Sequence, residues 1–162
     1  MSVSQECEKV KNNIQKWLLE EGYKIQSKPN KDALFQMIAT GADGIKISVL
    51  QPVLKLDQIV IVTGVGLDET RQTALQAMEN KERLDFLWEL RFGLLNIGVS
   101  FGGISIPLKG IEMSYPIFYD GLSKDAFMHK FFDIKRAVIF VLWTFDRKFG
   151  EPKPKSDLMY RG

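Results

Sequence analysis

Apolar residues recur at alternating steps of four and three near the end of the chain. Phe127, Phe131, Ile134, Val138, Val141 and Phe145 draw one stripe down a single helix. Ser123 is a good N-cap for it, and Leu122 and Phe127 stand at N′ and N4, where a hydrophobic staple forms. That stripe needs a sheet to cover. Ala137 to Trp143 is apolar all round, so the opposite side calls for a second surface, from the same chain or from a partner.

Upstream, the pattern predicts a helix from Ser2 or Ser4 that carries Cys7, Val10, Ile14, Trp17 and Leu18 and ends with Gly22 at C′. Lys24 to Lys31 is polar, holds Pro29 and Asn30, and reads as a loop or short edge strand. Three strands follow in hairpin order. The first is Ala33 to Thr40; after a turn at Gly41 to Gly44, Ile45, Ile47 and Val49 alternate with Lys46 and Ser48. Gln51-Pro52 breaks the run, and the β-branched block Ile59 to Val62 predicts a central strand covered on both faces, closed by Gly64 and Gly66.

Asp68-Glu69 opens a helical region holding Leu75 and Met78, with Asn80 to Arg83 as a charged interruption. A second helical piece carries Phe86, Leu90 and Ile97, beside Leu84, Leu87, Trp88, Arg91, Leu94 and Leu95, as a broad apolar face ending near Asn96 and Gly98. Val99 to Ile106 and Gly110 to Tyr119 then predict a second hairpin, with Ile111, Met113, Tyr115 and Ile117 alternating against Glu112 and Ser114. The order is α-βββ-α-ββ-α. It predicts an α+β fold in which a mainly antiparallel sheet of five strands gathers helices on one face. Residues 1–150 read as one domain and residues 151–162 as a flexible polar tail.

Composition narrows the function classes. With 162 residues, 45% hydrophobic and 26% charged, the chain can bury a core without staples, and its single cysteine, Cys7, excludes an intrachain disulfide. A formal charge of +2, with lysines spread among acids, gives no long-range field to recommend nucleic acid or anionic lipid. The N-terminus lacks a signal peptide's apolar run, and Ala137 to Trp143 falls far short of the ~18 to 20 residues of a membrane span. The expectation is a soluble cytoplasmic protein.

Candidate chemistry is sparse. Gly98-Val99-Ser100-Phe101-Gly102 matches a G-x-S-x-G elbow, followed by Asp120 and His129 in hydrolase order. An elbow needs a strand entering and a helix leaving, and here a helix precedes and strand signals follow. His129 is the only histidine, so acid-base chemistry by imidazole rests on it alone. One cysteine and one histidine, far apart, announce no metal site. The passage Val62 to Glu69 invites a phosphate reading through its glycines, but Glu69 takes the third glycine's place and no Walker lysine follows; an acidic helix cap is the better account. Tyr115, Phe118 and Tyr119 could stack bases, with Lys24 to Lys31 and Lys148 to Lys155 as basic loops, yet no RNP signature is present.

The helix ending Leu94-Leu95-Asn96, the two strands after it, and Tyr119-Asp120-Gly121-Leu122-Ser123-Lys124-Asp125-Ala126-Phe127 resemble the secretion-chaperone-like fold of type III secretion chaperones and related bacterial proteins. The whole chain, including Trp17-Leu18 to Gly22-Tyr23, also resembles a small archaeal family of uncharacterised proteins carrying a domain of unknown function. The resemblance implies a fold and often a homodimer, and it transfers no catalytic residue.

These readings converge on a non-catalytic, chaperone-like module that binds an unidentified protein partner and acts as a homodimer, with no cofactor, metal or membrane. Ile139, Phe140 and Trp143, with Trp88 and Phe92, are the candidate interface residues. The alternatives are a small hydrolase using Ser100 and His129 with Asp120, and a weak nucleic-acid binder.

Overall fold

Ser2 caps the first helix, α1 (Val3–Glu20), through a reciprocal box: its hydroxyl accepts from Gln5 N at 3.2 Å while Ser2 N donates to Gln5 Oε1 at 3.0 Å. At the far end Gly22 takes φ +85°, and the Gly22 and Tyr23 amides donate to the Leu19 and Leu18 carbonyls, a Schellman closure. Cys7, Val10, Ile14 and Leu18 form the buried face. The computed structural model describes residues 2–150; the predicted polar tail lies outside the described residues.

A six-stranded antiparallel sheet follows: β1 (Lys24–Ser27), β2 (Ala33–Thr40), β3 (Lys46–Pro52), β4 (Gln58–Gly66), β5 (Ser100–Gly102) and β6 (Gly110–Phe118), ordered β1-β2-β3-β4-β6-β5. Five strands were expected. The sixth is β1, four residues at the edge of the sheet, from the polar segment that reads as a loop or short edge strand.

Two further expectations about the sheet are corrected. Gln51 does not break β3 but lies within it, wholly buried; its Nε2 donates to the Pro52 and Lys55 carbonyls at 3.0 and 2.6 Å, and its Oε1 accepts from the Tyr119 hydroxyl. A buried amide so satisfied is tolerated in a strand. The block Ile59 to Val62 is central but covered on one face only. Ile59 and Ile61, with Val49, Met113 and Ile117, are buried, whereas Val60 and Val62 are half-buried beside Leu50 and Pro116 on the other face. β-branched residues suit a pleated strand on either face, so the run itself carries no information about coverage.

Helices α2 (Glu69–Ala77) and α3 (Asn80–Ile97) meet at Met78-Glu79, and the supposed interruption, Asn80 to Arg83, is the first turn of α3. Arg83 reaches back to the Gln76 and Met78 carbonyls at 2.9 and 3.3 Å, satisfying acceptors that α2 leaves open at its end. Of the predicted broad face of α3, only Phe86, Leu87, Leu90 and Leu94 are buried; Leu84, Trp88 and Leu95 are exposed. The second hairpin is shorter than its sequence pattern suggests, since β5 has three residues and Ile104 and Leu108 are buried from the connecting loop.

A 3₁₀ turn (Tyr119–Gly121) leads into α4 (Lys124–Phe149), where the Ser123 hydroxyl accepts from Ala126 N at 3.1 Å. All six residues of the predicted stripe are buried, and α4 lies over β4 and β6 with α1 and α3 beside it. Burying each such side chain contributes about 1.5–3 kcal/mol, which makes α4 the keystone of the core. Trp17 and Tyr23 close the α1 side against Phe127 and Phe131, with ring centroids 5.9 and 5.0 Å apart. No helix among the described residues is long and apolar enough to cross a membrane.

Candidate functional site

Helices α3 and α4 run antiparallel. Glu82 meets Lys148 at 2.8 Å, Glu89 pairs with Arg147, Phe86 packs between Phe145 and Phe149, and the Phe140 ring lies over Gly93. Ala137 and Thr144 are buried on this flank, the Thr144 hydroxyl donating back to the Phe140 carbonyl at 2.7 Å. The small residues let the two helices approach closely.

The outward side of the two helices is apolar. Trp88 is 50% exposed, Phe92 57% and Leu95 63%, and across the crease Trp143 is 61% exposed, with Ile139 and Phe140 half-buried. Spacings of four and three put Leu84, Trp88, Phe92 and Leu95 on one stripe of α3. Trp88 and Phe92 stack at 5.6 Å, and the Arg91 guanidinium sits 4.7 Å over the Trp88 ring while donating to the Ile104 carbonyl at 2.9 Å. The two rings are therefore held against each other and under Arg91. Of the predicted interface residues, Trp88, Phe92 and Trp143 are exposed, and Ile139 and Phe140 are half-buried. Leu84 and Leu95 join them, though the sequence pattern had placed both in the buried stripe.

Charge is divided between the two ends of the face. Glu79, Glu82, Asp85 and Glu89 line a groove of about 340 Å³ at the start of α3, tempered by Lys81 and Lys148. Toward the other end Arg136 stands 67% exposed, held by Asp133 at 2.7 Å.

The hydrolase candidates are not brought together. Ser100 pairs with Ser114 on the helix-free face of β5, and a helix precedes it and a strand contains it, the reverse of an elbow. His129 is exposed on α4, with Nδ1 2.9 Å from the Asp125 carbonyl oxygen. The sheet and the breadth of α4, about 10 Å, separate the two side chains. Asp120 lies in the 3₁₀ turn, at a cleft of about 460 Å³ shared with Glu6, Asp57 and Phe118.

Other candidate chemistry is equally dispersed. Among the described residues no three of His, Cys, Asp and Glu gather as metal ligands. Asp68 caps α2 by accepting from Arg71 N at 2.8 Å. Gly64, Gly66, Gly102, Gly103 and Gly110 line a shallow cleft of about 530 Å³ whose one charged side chain, Glu112, repels a phosphate. Lys130 covers the Tyr115 ring at 4.5 Å, and the Tyr119 hydroxyl is spent on Gln51, so two of the three strand aromatics are engaged within the chain.

Three groups are displaced in their titration. Burial, then the nearby negative groups of Cys7, Glu6 and Asp57, pushes the Tyr119 phenol up to about 12. Burial, with Glu8, also raises the Cys7 thiol against the pull of Lys11. At Lys135 burial works downward, but hydrogen bonds to Asp43 and Tyr23 outweigh it and hold the ammonium above its ordinary range. All three sit in structural contacts away from the apolar face.

A solved structure described as "Crystal structure of an uncharacterized protein from Methanothermobacter thermautotrophicus" is similar at a TM-score of 0.79 and 31% sequence identity, covering 85% of this chain and 96% of that one. No curated protein matches the chain. The sequence pattern of a family described as "Uncharacterized conserved protein (DUF2299)" matches residues 10–145. On that match, which spans most of its length, the chain belongs to the DUF2299 family.

Proposed function

We propose that the chain is a non-catalytic protein-binding module that acts as a homodimer, chaperone-like in offering an apolar helical face to another polypeptide. One observation carries this reading: Trp88, Phe92 and Leu95 on α3 and Trp143 on the adjacent α4 are each half or more exposed. Tryptophan and phenylalanine are enriched at the centres of protein interfaces, and contiguous apolar patches of several hundred Å² on a folded domain mark contact surfaces. Helices gathered on one face of an antiparallel sheet support the secretion-chaperone-like assignment. The buried, unpaired Cys7 fits a reducing compartment such as the cytoplasm.

Light scattering across micromolar concentrations tests the reading. A mass of twice 18.5 kDa is expected for the native chain. The variant Trp88→Glu/Trp143→Glu is expected to run as a monomer with an unchanged circular dichroism spectrum. A native chain that stays monomeric throughout that range overturns the proposal.

A further inference from the structure

The apolar face has a charge pattern that is complementary to itself under a two-fold rotation, and from this we infer that its occupant is the same face of a second copy, with Arg136 of each copy seated in the acidic groove of the other. This inference rests on the homodimer reading and adds the contact surface and its geometry.

Gly93 on α3 and Phe140 on α4 lie level, because the ring of one covers the α-carbon of the other. At a rise of about 1.5 Å per residue, Asp85 stands ~12 Å from that level toward one end of the face and Arg136 ~6 Å toward the other. A two-fold axis that exchanges these positions passes ~3 Å from the Gly93 level on the Asp85 side. Trp88, Phe92 and Trp143 straddle that point. The same rotation that stacks the aromatic cluster on itself therefore sets Arg136 against the partner copy's groove, twice per dimer, as an isologous interface requires.

The chemistry at the two ends fits. Lys148 and Arg147 already pair with Glu82 and Glu89, which leaves Glu79 and Asp85 against Lys81, one net negative charge to meet a guanidinium from outside. Arg136 is 67% exposed and needs only to share its present partner, Asp133, to reach outward. The exposed parts of Leu84, Trp88, Phe92, Leu95 and Trp143 together offer on the order of 500 Å² to the partner, and the half-buried Ile139 and Phe140 extend this toward the ~800 Å² per copy of a standard interface.

Charge exchange between copies tests the geometry. Arg136→Glu places two like-charge contacts in a homodimer, and so does Asp85→Arg; each single variant is expected to weaken self-association at least about tenfold by sedimentation or light scattering. An equimolar mixture of the two restores both opposite-charge contacts in the heterodimer and is expected to associate within about threefold of the native chain. Circular dichroism and thermal midpoints of the separate variants show that each is folded, since both positions are exposed. A native dimer that is indifferent to Arg136→Glu, or variants that weaken but do not recover on mixing, overturns this arrangement while leaving the homodimer reading in place. A native monomer overturns both.

Discussion

The Phe140 ring lies where a side chain on Gly93 would stand, so closely that a β-carbon built there overlaps three ring atoms. Alanine in place of a mid-helix glycine ordinarily gains up to about 1 kcal/mol. Here overpacking, typically about 1–3 kcal/mol, opposes that gain. Gly93→Ala is therefore expected to destabilise the native chain by about 1 kcal/mol in urea denaturation, and to stabilise a Phe140→Ala chain by a similar amount. A gain in both backgrounds would show that the close approach is not made.

The start of α4 sets the register of the core. Ser123→Ala removes the acceptor for the Ala126 amide and is expected to cost about 1 kcal/mol, whereas Ser123→Asp, which caps as well and suits the helix dipole, stays within ~0.5 kcal/mol of native. Phe127→Ala, four residues on, empties a fully buried site and is expected to cost about 3–5 kcal/mol. Equal losses for the two alanine variants would contradict the assigned roles.

Neighbouring glycines separate backbone need from open space. Gly103 has φ +93°, and a β-carbon there would strike the Gly110 carbonyl oxygen, while Gly102 has an ordinary φ and nothing within 4 Å. Gly103→Ala is expected to lose about 2 kcal/mol or more, and Gly102→Ala to remain within about 0.5 kcal/mol of native. The two thermal midpoints read out this difference directly.

Tyr119 predicts a slope on the alkaline side. The unfolded phenol gives up its proton near its ordinary value of 10.0, while the folded one keeps it until about 12. Between those values the folded state binds more protons than the unfolded, so stability falls as pH rises through that window and is fully present below it. Tyr119→Phe is expected to abolish this slope. It also leaves the Gln51 oxygen without its donor, a loss that does not vary with pH. The difference between native and variant unfolding free energies at pH 9 and pH 11.5 should therefore shrink with rising pH; a constant difference would show that Tyr119 ionises normally.

Much of the fold was legible because it rests on periodicity. Phe127 to Phe145, the Ser2 and Ser123 caps and the alternation Ile111 to Ile117 each express a local rule that tertiary packing leaves intact. β1 was legible only as a loop or short edge strand, because a polar edge strand shows no buried face, and Gln51 was hidden because a buried amide is recognised only through its partners, one of which is Tyr119, 68 residues away. The apolar face was half legible. Spacing alone could not say whether Trp88 and Leu95 turn inward or outward, because the buried stripe and the exposed one lie on the same helix and both are hydrophobic. Ser100 shows the opposite failure: a short motif matches by composition, and only the order of helix and strand removes it.

Both rims of the sheet are stubs, four residues in β1 and three in β5, too brief to template a long ladder of amides from a neighbouring molecule. Growth by strand addition, the route to fibres, therefore has little to build on. In the proposed homodimer a two-fold contact uses up the apolar face, so assembly would terminate at a pair however concentrated the protein becomes.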